Sequence, residues 1–180
     1  MKKYEFTLVL SGVDENTDDL EDCLFEAGCD DALINFRNGT VYLDFIREEK
    51  SLELAILSAI KQIETMPLAA KVTSVAPENL VSESEIAKRL KLKKQAVSLW
   101  SKGLRRNRPR FPHPVMKLSD TSPLWRWHEV VAWSLKNQIV NDPAMLDEAI
   151  LIESLNLVLE ERSAPAKELR ESLLAKLRKL

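Results

Sequence analysis

The 180-residue chain has two cysteines, four glycines and 6% aromatic residues. Two cysteines, Cys23 and Cys29, cannot build a disulfide framework, so free thiols and a reducing compartment are expected. So little glycine beside 45% hydrophobic residues excludes collagen-like, low-complexity and disordered classes. No apolar run reaches the roughly 18 residues that a membrane-spanning helix needs, so no membrane partner is expected. The opening Met1-Lys2-Lys3-Tyr4-Glu5-Phe6 alternates polar and apolar residues and shows no secretory apolar segment, which points to the cytoplasm. No glycine-rich phosphate loop, Ser/His/Asp set or Cys/His pairing is present, so neither catalysis nor a cofactor is expected. His113 and His128 have no short ligand spacing to each other or to the cysteines, and no metal site is expected.

What is present is an uneven distribution of charge. The net charge of -2 hides 16 acidic and 7 basic residues in positions 1–80, against 4 acidic and 13 basic in positions 81–140. An acidic part is thus joined to a strongly basic one, and the basic part suits a polyanionic partner. The composition divides the chain into an acidic domain (1–77), a basic domain (78–140) and C-terminal amphipathic helices (141–180).

In the first part, Tyr4, Phe6, Leu8 and Leu10 alternate as one face of a strand. Asp14–Ala27 reads as a helix capped by Asn16 or Thr17 and stopped by Gly28. Asn38-Gly39 lies between two alternating runs and predicts a hairpin, because a type I′ turn needs two residues that tolerate positive φ. Ser51 opens a second helix with Leu52, Ala55, Ile56, Ala59, Ile60 and Ile63 inward, and 71–76 completes the set as a strand. The order strand, helix, strand, strand, helix, strand is the ferredoxin-like βαββαβ arrangement, which gives an α+β fold class and no function by itself. The acidic run from Asp14 to Asp22 reads as a solvated helix start rather than a metal cluster. An RNA-binding sheet face is disfavoured by the negative charge.

Residues 77–81 read as a linker. Ser82 and Glu85 then form a capping box. Ile86, Ala87 and Leu90 stripe one short helix; Ala96, Val97 and Trp100 stripe a second, which Gly103 ends. Glu85-Ile86-Ala87-Lys88-Arg89-Leu90, Gln95-Ala96-Val97-Ser98-Leu99-Trp100 and Gly103 resemble the helix-turn-helix of bacterial and phage repressors. Lys91 departs from that pattern, which commonly has Gly at the turn, so it must take the turn conformation at a cost or the turn must differ. Further on, Phe111-Pro112-His113-Pro114, a hairpin around 119–123 and the segment from Trp125 through Trp133 are similar to the winged helix of phage excisionases and MerR-type regulators. The resemblance spans about residues 80–138.

Positions 86–119 hold no acidic residue, and phosphate neutralisation there would supply affinity for duplex DNA. Lys94, Gln95, Ser98 and Lys102 on the second helix are the candidate base contacts. Lys91, Lys93, Arg105, Arg106, Arg108, Arg110 and Lys117 are the candidate backbone contacts. The four tryptophans sit within amphipathic elements and are expected in the core rather than as stacking platforms. Two helices are expected in 141–180, from Asp142 to about Arg162 and beyond Pro165. The second has Leu169, Leu173, Leu177 and Leu180 on one stripe, which serves either to pack on the rest of the chain or as a homodimer surface. The expected function is sequence-specific binding of double-stranded DNA, as a transcriptional regulator. The alternative is an antitoxin-like or accessory interaction module, in which the acidic domain masks a basic protein partner or the chain's own basic half.

Overall fold

The structure, a computed structural model, describes residues 1–105, 109–118, 122–163 and 167–179. It is α+β, and its contacts divide the chain into two units: Met1–Ala76 together with Ser154–Leu180, and Pro77–Glu153. The C-terminal helices, expected as a third part, are therefore shared between the two. Among the described residues no helix is long and apolar enough to cross a membrane.

The first unit contains β1 (Lys2–Ser11), α1 (Leu20–Glu26), β2 (Ala32–Arg37), β3 (Thr40–Glu49), α2 (Leu52–Thr65) and β4 (Lys71–Ala76). The strands form an antiparallel sheet in the order β2-β3-β1-β4. Alternation decides its core face: Phe6 lies opposite Phe45, Leu8 opposite Leu43 and Leu10 opposite Val41, all buried. The Phe6 and Phe45 rings stack at 5.1 Å. From α2, capped by the Ser51 hydroxyl accepting from the Leu54 N–H, come Leu52, Ala55, Ile56, Ala59 and Ile63. The hairpin forms where expected, with Asn38 at φ 53° and Gly39 at φ 73°. Both residues occupy the positive-φ region that a type I′ turn requires.

The first helix is shorter than its composition suggests. Asp14–Thr17 forms a local turn in which the Asp14 carboxylate accepts from the Asn16 N–H at 2.9 Å and the Thr17 hydroxyl accepts from the Asp14 N–H at 2.9 Å. Asp, Asn and Thr side chains compete in this way with helical hydrogen bonding, so the helix begins at Leu20.

The second unit holds β5 (Leu80–Val81), α3 (Glu83–Arg89), α4 (Lys94–Ser101), β6 (Trp125–Arg126), α5 (Trp127–Lys136) and the start of α6 (Ala144–Ser163). The expected linker ends in a strand: Leu80 pairs with Arg126 and Val81 with Trp125. A linker would leave Val81 in solvent, whereas here it is fully buried. The core joins Val81, Ile86, Val97, Phe111, Val130, Val131 and all four tryptophans, with Ala149 of α6 among them. Met145 and Leu146 pack against this cluster, so a fragment ending at residue 140 would expose part of it. In the first unit, α6 contributes its residues from Ser154 onward, followed by α7 (Lys167–Leu177).

Candidate nucleic-acid interface

The positions of the basic residues follow from how α3 and α4 are built. Ser82 caps α3, and the capping box is complete: its hydroxyl accepts from the Glu85 N–H, and the Glu85 carboxylate accepts from the Ser82 N–H at 2.7 Å. Burial pushes the Glu85 carboxyl up, but the hydrogen bonds from Ser82 and the charges of Arg89 and Lys88 outweigh it and hold the group below its ordinary value. The turn after α3 closes with the Leu92 N–H donating to the Ala87 carbonyl at 2.8 Å and Lys91 at φ 54°. Lys91 thus takes the left-handed conformation usually given to glycine, the more costly of its two expected courses. After α4, Gly103 at φ 68° occupies the same kind of position without that strain, and the Leu104 N–H reaches the Leu99 carbonyl at 2.9 Å. Val97 and Trp100 turn α4 inward, and the Ser101 hydroxyl donates to Glu83 at 2.6 Å, tying α4 to α3.

This packing leaves Lys94, Gln95 and Lys102 exposed, with Ser98 half-buried. Positions 94, 98 and 102 recur every fourth residue, so they line one side of α4, with Gln95 next to them. No side chain caps the start of α4 and its first turn holds no acidic residue, which leaves backbone N–H groups suited to an anion. Lys91 and Lys93 are exposed on the turn just before it.

The arginine-rich segment is anchored from beneath. The Trp133 indole N–H donates to the Pro109 carbonyl at 3.2 Å and the Trp125 indole to the Pro112 carbonyl at 3.0 Å. Phe111 is buried between them, its ring 4.8 Å from Trp133 in an edge-on arrangement. Arg105 and Arg110 are exposed and line one hollow of about 320 Å³ with Trp100 and Trp133. Arg105 also lies over the Trp100 ring, 5.7 Å from its centroid. Arg106 and Arg108 fall outside the described residues. Lys117 is exposed on a short arm where Met116 bridges Leu124, and the Leu124 N–H donates to the Met116 carbonyl at 3.0 Å. The expected hairpin is thus a single bridge among the described residues, and Trp125 pairs with β5 instead.

Some charges serve the fold. Arg89 is clamped: its guanidinium lies 5.1 Å from the Trp127 centroid and donates to the Glu78 carbonyl at 2.8 Å. Burial pulls its affinity for a proton down, against the pull of Glu78 and Glu85. Arg89 therefore leaves the set of free basic residues that composition alone would count. Glu153, buried in α6, receives both Arg126 and His128. Sequence reasoning passed over Glu153, although its place beside Ala149 and Ile152 on a buried stripe is the signal that marks it. In the first unit, burial pushes the Cys29 thiol up although Arg47 pulls it down, which leaves it the neutral and less nucleophilic form.

No protein-family model, curated protein or solved structure matches the chain.

Proposed function

We propose that the chain binds double-stranded DNA sequence-specifically, in the cytoplasm, as a transcriptional regulator. The second unit is read as a winged helix-turn-helix, and the first as a ferredoxin-like βαββαβ module whose sheet order β2-β3-β1-β4 suits that name. The observation that carries the reading is the uninterrupted polar and basic side of α4, Lys94, Gln95, Ser98 and Lys102, on a helix whose opposite side is fixed in a tryptophan core. A helix entering a major groove needs such a side: Gln pairs with adenine and Lys with guanine. Lys91, Lys93, Arg105, Arg110 and Lys117 flank it as phosphate contacts, joined by Arg106 and Arg108 in the sequence.

Neutralising phosphates releases counterions, so affinity must fall as salt rises. With these seven contacts the logarithm of the binding constant falls with the logarithm of salt at a slope near −6, at about 0.9 per contact. Fluorescence anisotropy with a labelled duplex of mixed sequence measures it. A slope near zero, or no binding at 50 mM salt (roughly the low end of the usual range), would remove the phosphate assignments.

A further inference from the structure

The two edges of the β2-β3-β1-β4 sheet are treated in opposite ways. At the β4 edge, side chains occupy the backbone groups a neighbouring strand would use. Asn156 accepts from the Val75 N–H at 2.7 Å and donates to the Val75 carbonyl at 2.8 Å, in the manner of a strand's own peptide group. Glu64 accepts from the Val72 N–H at 3.1 Å, and Arg162 donates to the Val72 carbonyl at 2.9 Å. The register of β1 with β4 also shifts between Val9 and Leu10, a further device against pairing.

At the β2 edge the Ala32 N–H donates to the Cys29 carbonyl at 3.1 Å, but among the described residues no side chain occupies the outward backbone groups of Ile34 and Phe36. Ala32-Leu33-Ile34-Asn35-Phe36-Arg37 holds no Pro, no Lys and no irregularity against β3, and Leu33 is 65% exposed. The Ile46 N–H donates to the Asp31 carbonyl, so alternation assigns the groups of residues 33, 35 and 37 to β3. The N–H and carbonyl of Ile34 and Phe36 point away from β3, along the open edge. An edge of this kind is a template for another strand.

We propose that this edge pairs with the β2 edge of a second copy of the chain, antiparallel, about a two-fold axis at Ile34. The strand is complementary to itself in that register. Ile34 meets Ile34 of the other copy, and the large Phe36 meets the small Ala32. Arg37 comes opposite Asp31, whose carboxylate is held by Arg47, and next to the exposed Asp30, so each end of the pair sets a cation beside the free acid Asp30. Because the β4 edge is sealed, pairing stops at two copies and the contact is closed rather than fibre-forming. The stripe of α7 is the weaker candidate. Leu180 falls outside the described residues; Leu169, Leu173 and Leu177 are exposed, but Leu174 on another side is as exposed, so the described part of the helix presents no single apolar face. Pairing through the first unit is independent of the DNA reading, and its test needs no DNA.

Sedimentation of the full chain measures it. The unmodified protein is expected at twice the 20.5 kDa chain mass, with slow amide exchange at Ile34 and Phe36. Leu33→Lys alters an exposed side chain, keeps the fold, and is expected to give monomers with fast exchange at those two amides. Arg37→Glu sets a like charge beside Asp30 at each end of the pair and should weaken association severalfold. Leu173→Glu with Leu177→Glu is expected to leave the dimer intact. A monomeric unmodified protein, a dimer that survives Leu33→Lys, or a dimer lost only through α7 would each overturn the proposal. Protection at Ile34 and Phe36 seen only when a different protein is added would overturn it too.

Discussion

Replacing the four phosphate contacts Lys91, Lys93, Arg105 and Arg110 together by Ala is expected to lower duplex affinity about a thousandfold at 0.15 M salt, close to physiological ionic strength. Each lost contact forfeits about 0.9 of a released counterion, close to fivefold at that salt, so four contacts multiply to that order. The fold should be untouched, because all four side chains are exposed and the core beneath them is made by Val97, Trp100, Phe111 and Trp133. The tryptophans all lie in the second unit, so their fluorescence on urea titration reports whether that unit still unfolds at the same midpoint. A loss of less than about tenfold with unchanged fluorescence would move the interface away from α4 and its flanks.

The second large effect concerns stability of the first unit. Arg47 on β3 is 7% exposed and donates to both oxygens of Asp31, at 2.7 and 2.8 Å, to the Ser58 hydroxyl at 3.0 Å and towards the Gly28 carbonyl at 3.5 Å. The guanidinium also lies over the Phe45 ring, at 4.9 Å. Burial works against the charge, but the Asp31 carboxylate outweighs it and holds Arg47 above its ordinary range. Arg47→Met keeps volume and removes the cation, leaving Asp31 and the Gly28 carbonyl without their donor. Breaking a buried pair on one side costs about 3 kcal/mol. At roughly 1.5 kcal/mol per molar of urea, the midpoint by circular dichroism falls by about 2 M, while tryptophan fluorescence gives the reference for the other unit. Adding Asp31→Asn should restore part of the loss, since the stranded carboxylate is then gone. A shift below about 0.5 M for Arg47→Met would mean that water already satisfies Asp31.

The elements that were legible in the sequence are those whose cause is local. Asn38-Gly39 carries its own backbone preference, Ser82 and Glu85 satisfy each other within one turn, and Gly103 ends α4 where the apolar stripe ends. The cost at Lys91 was also visible, because the turn demands a conformation whatever residue occupies it. The first helix was misjudged because Asp14, Asn16 and Thr17 are good caps and equally good turn formers, and nothing in their order separates the two roles.

Long-range causes stayed hidden. Leu80 looked like linker because its partner Arg126 lies far along the chain. Arg89 looked like a free cation because Trp127 and Glu78, which hold it, are not its helical neighbours. Glu153 and Asn156 looked like the polar side of a helix, yet one collects Arg126 and His128 and the other seals the β4 edge. Of the candidate interface, the α4 positions were readable from spacing alone. The anchoring of Pro109 and Pro112 by indole N–H groups was not, since it depends on how α5 and β6 pack.

The central claim is that α4 reads base sequence, and selection of bound duplexes from a random pool by the full chain tests it most directly. The unmodified protein should enrich a defined sequence over successive rounds. Gln95→Ala should lose preference at one base position, worth about 1–3 kcal/mol of discrimination, while keeping its affinity for mixed-sequence duplex and its salt slope. A pool that stays random with the unmodified protein, or a Gln95→Ala variant that selects the same sequence with the same preference at every position, would contradict the account.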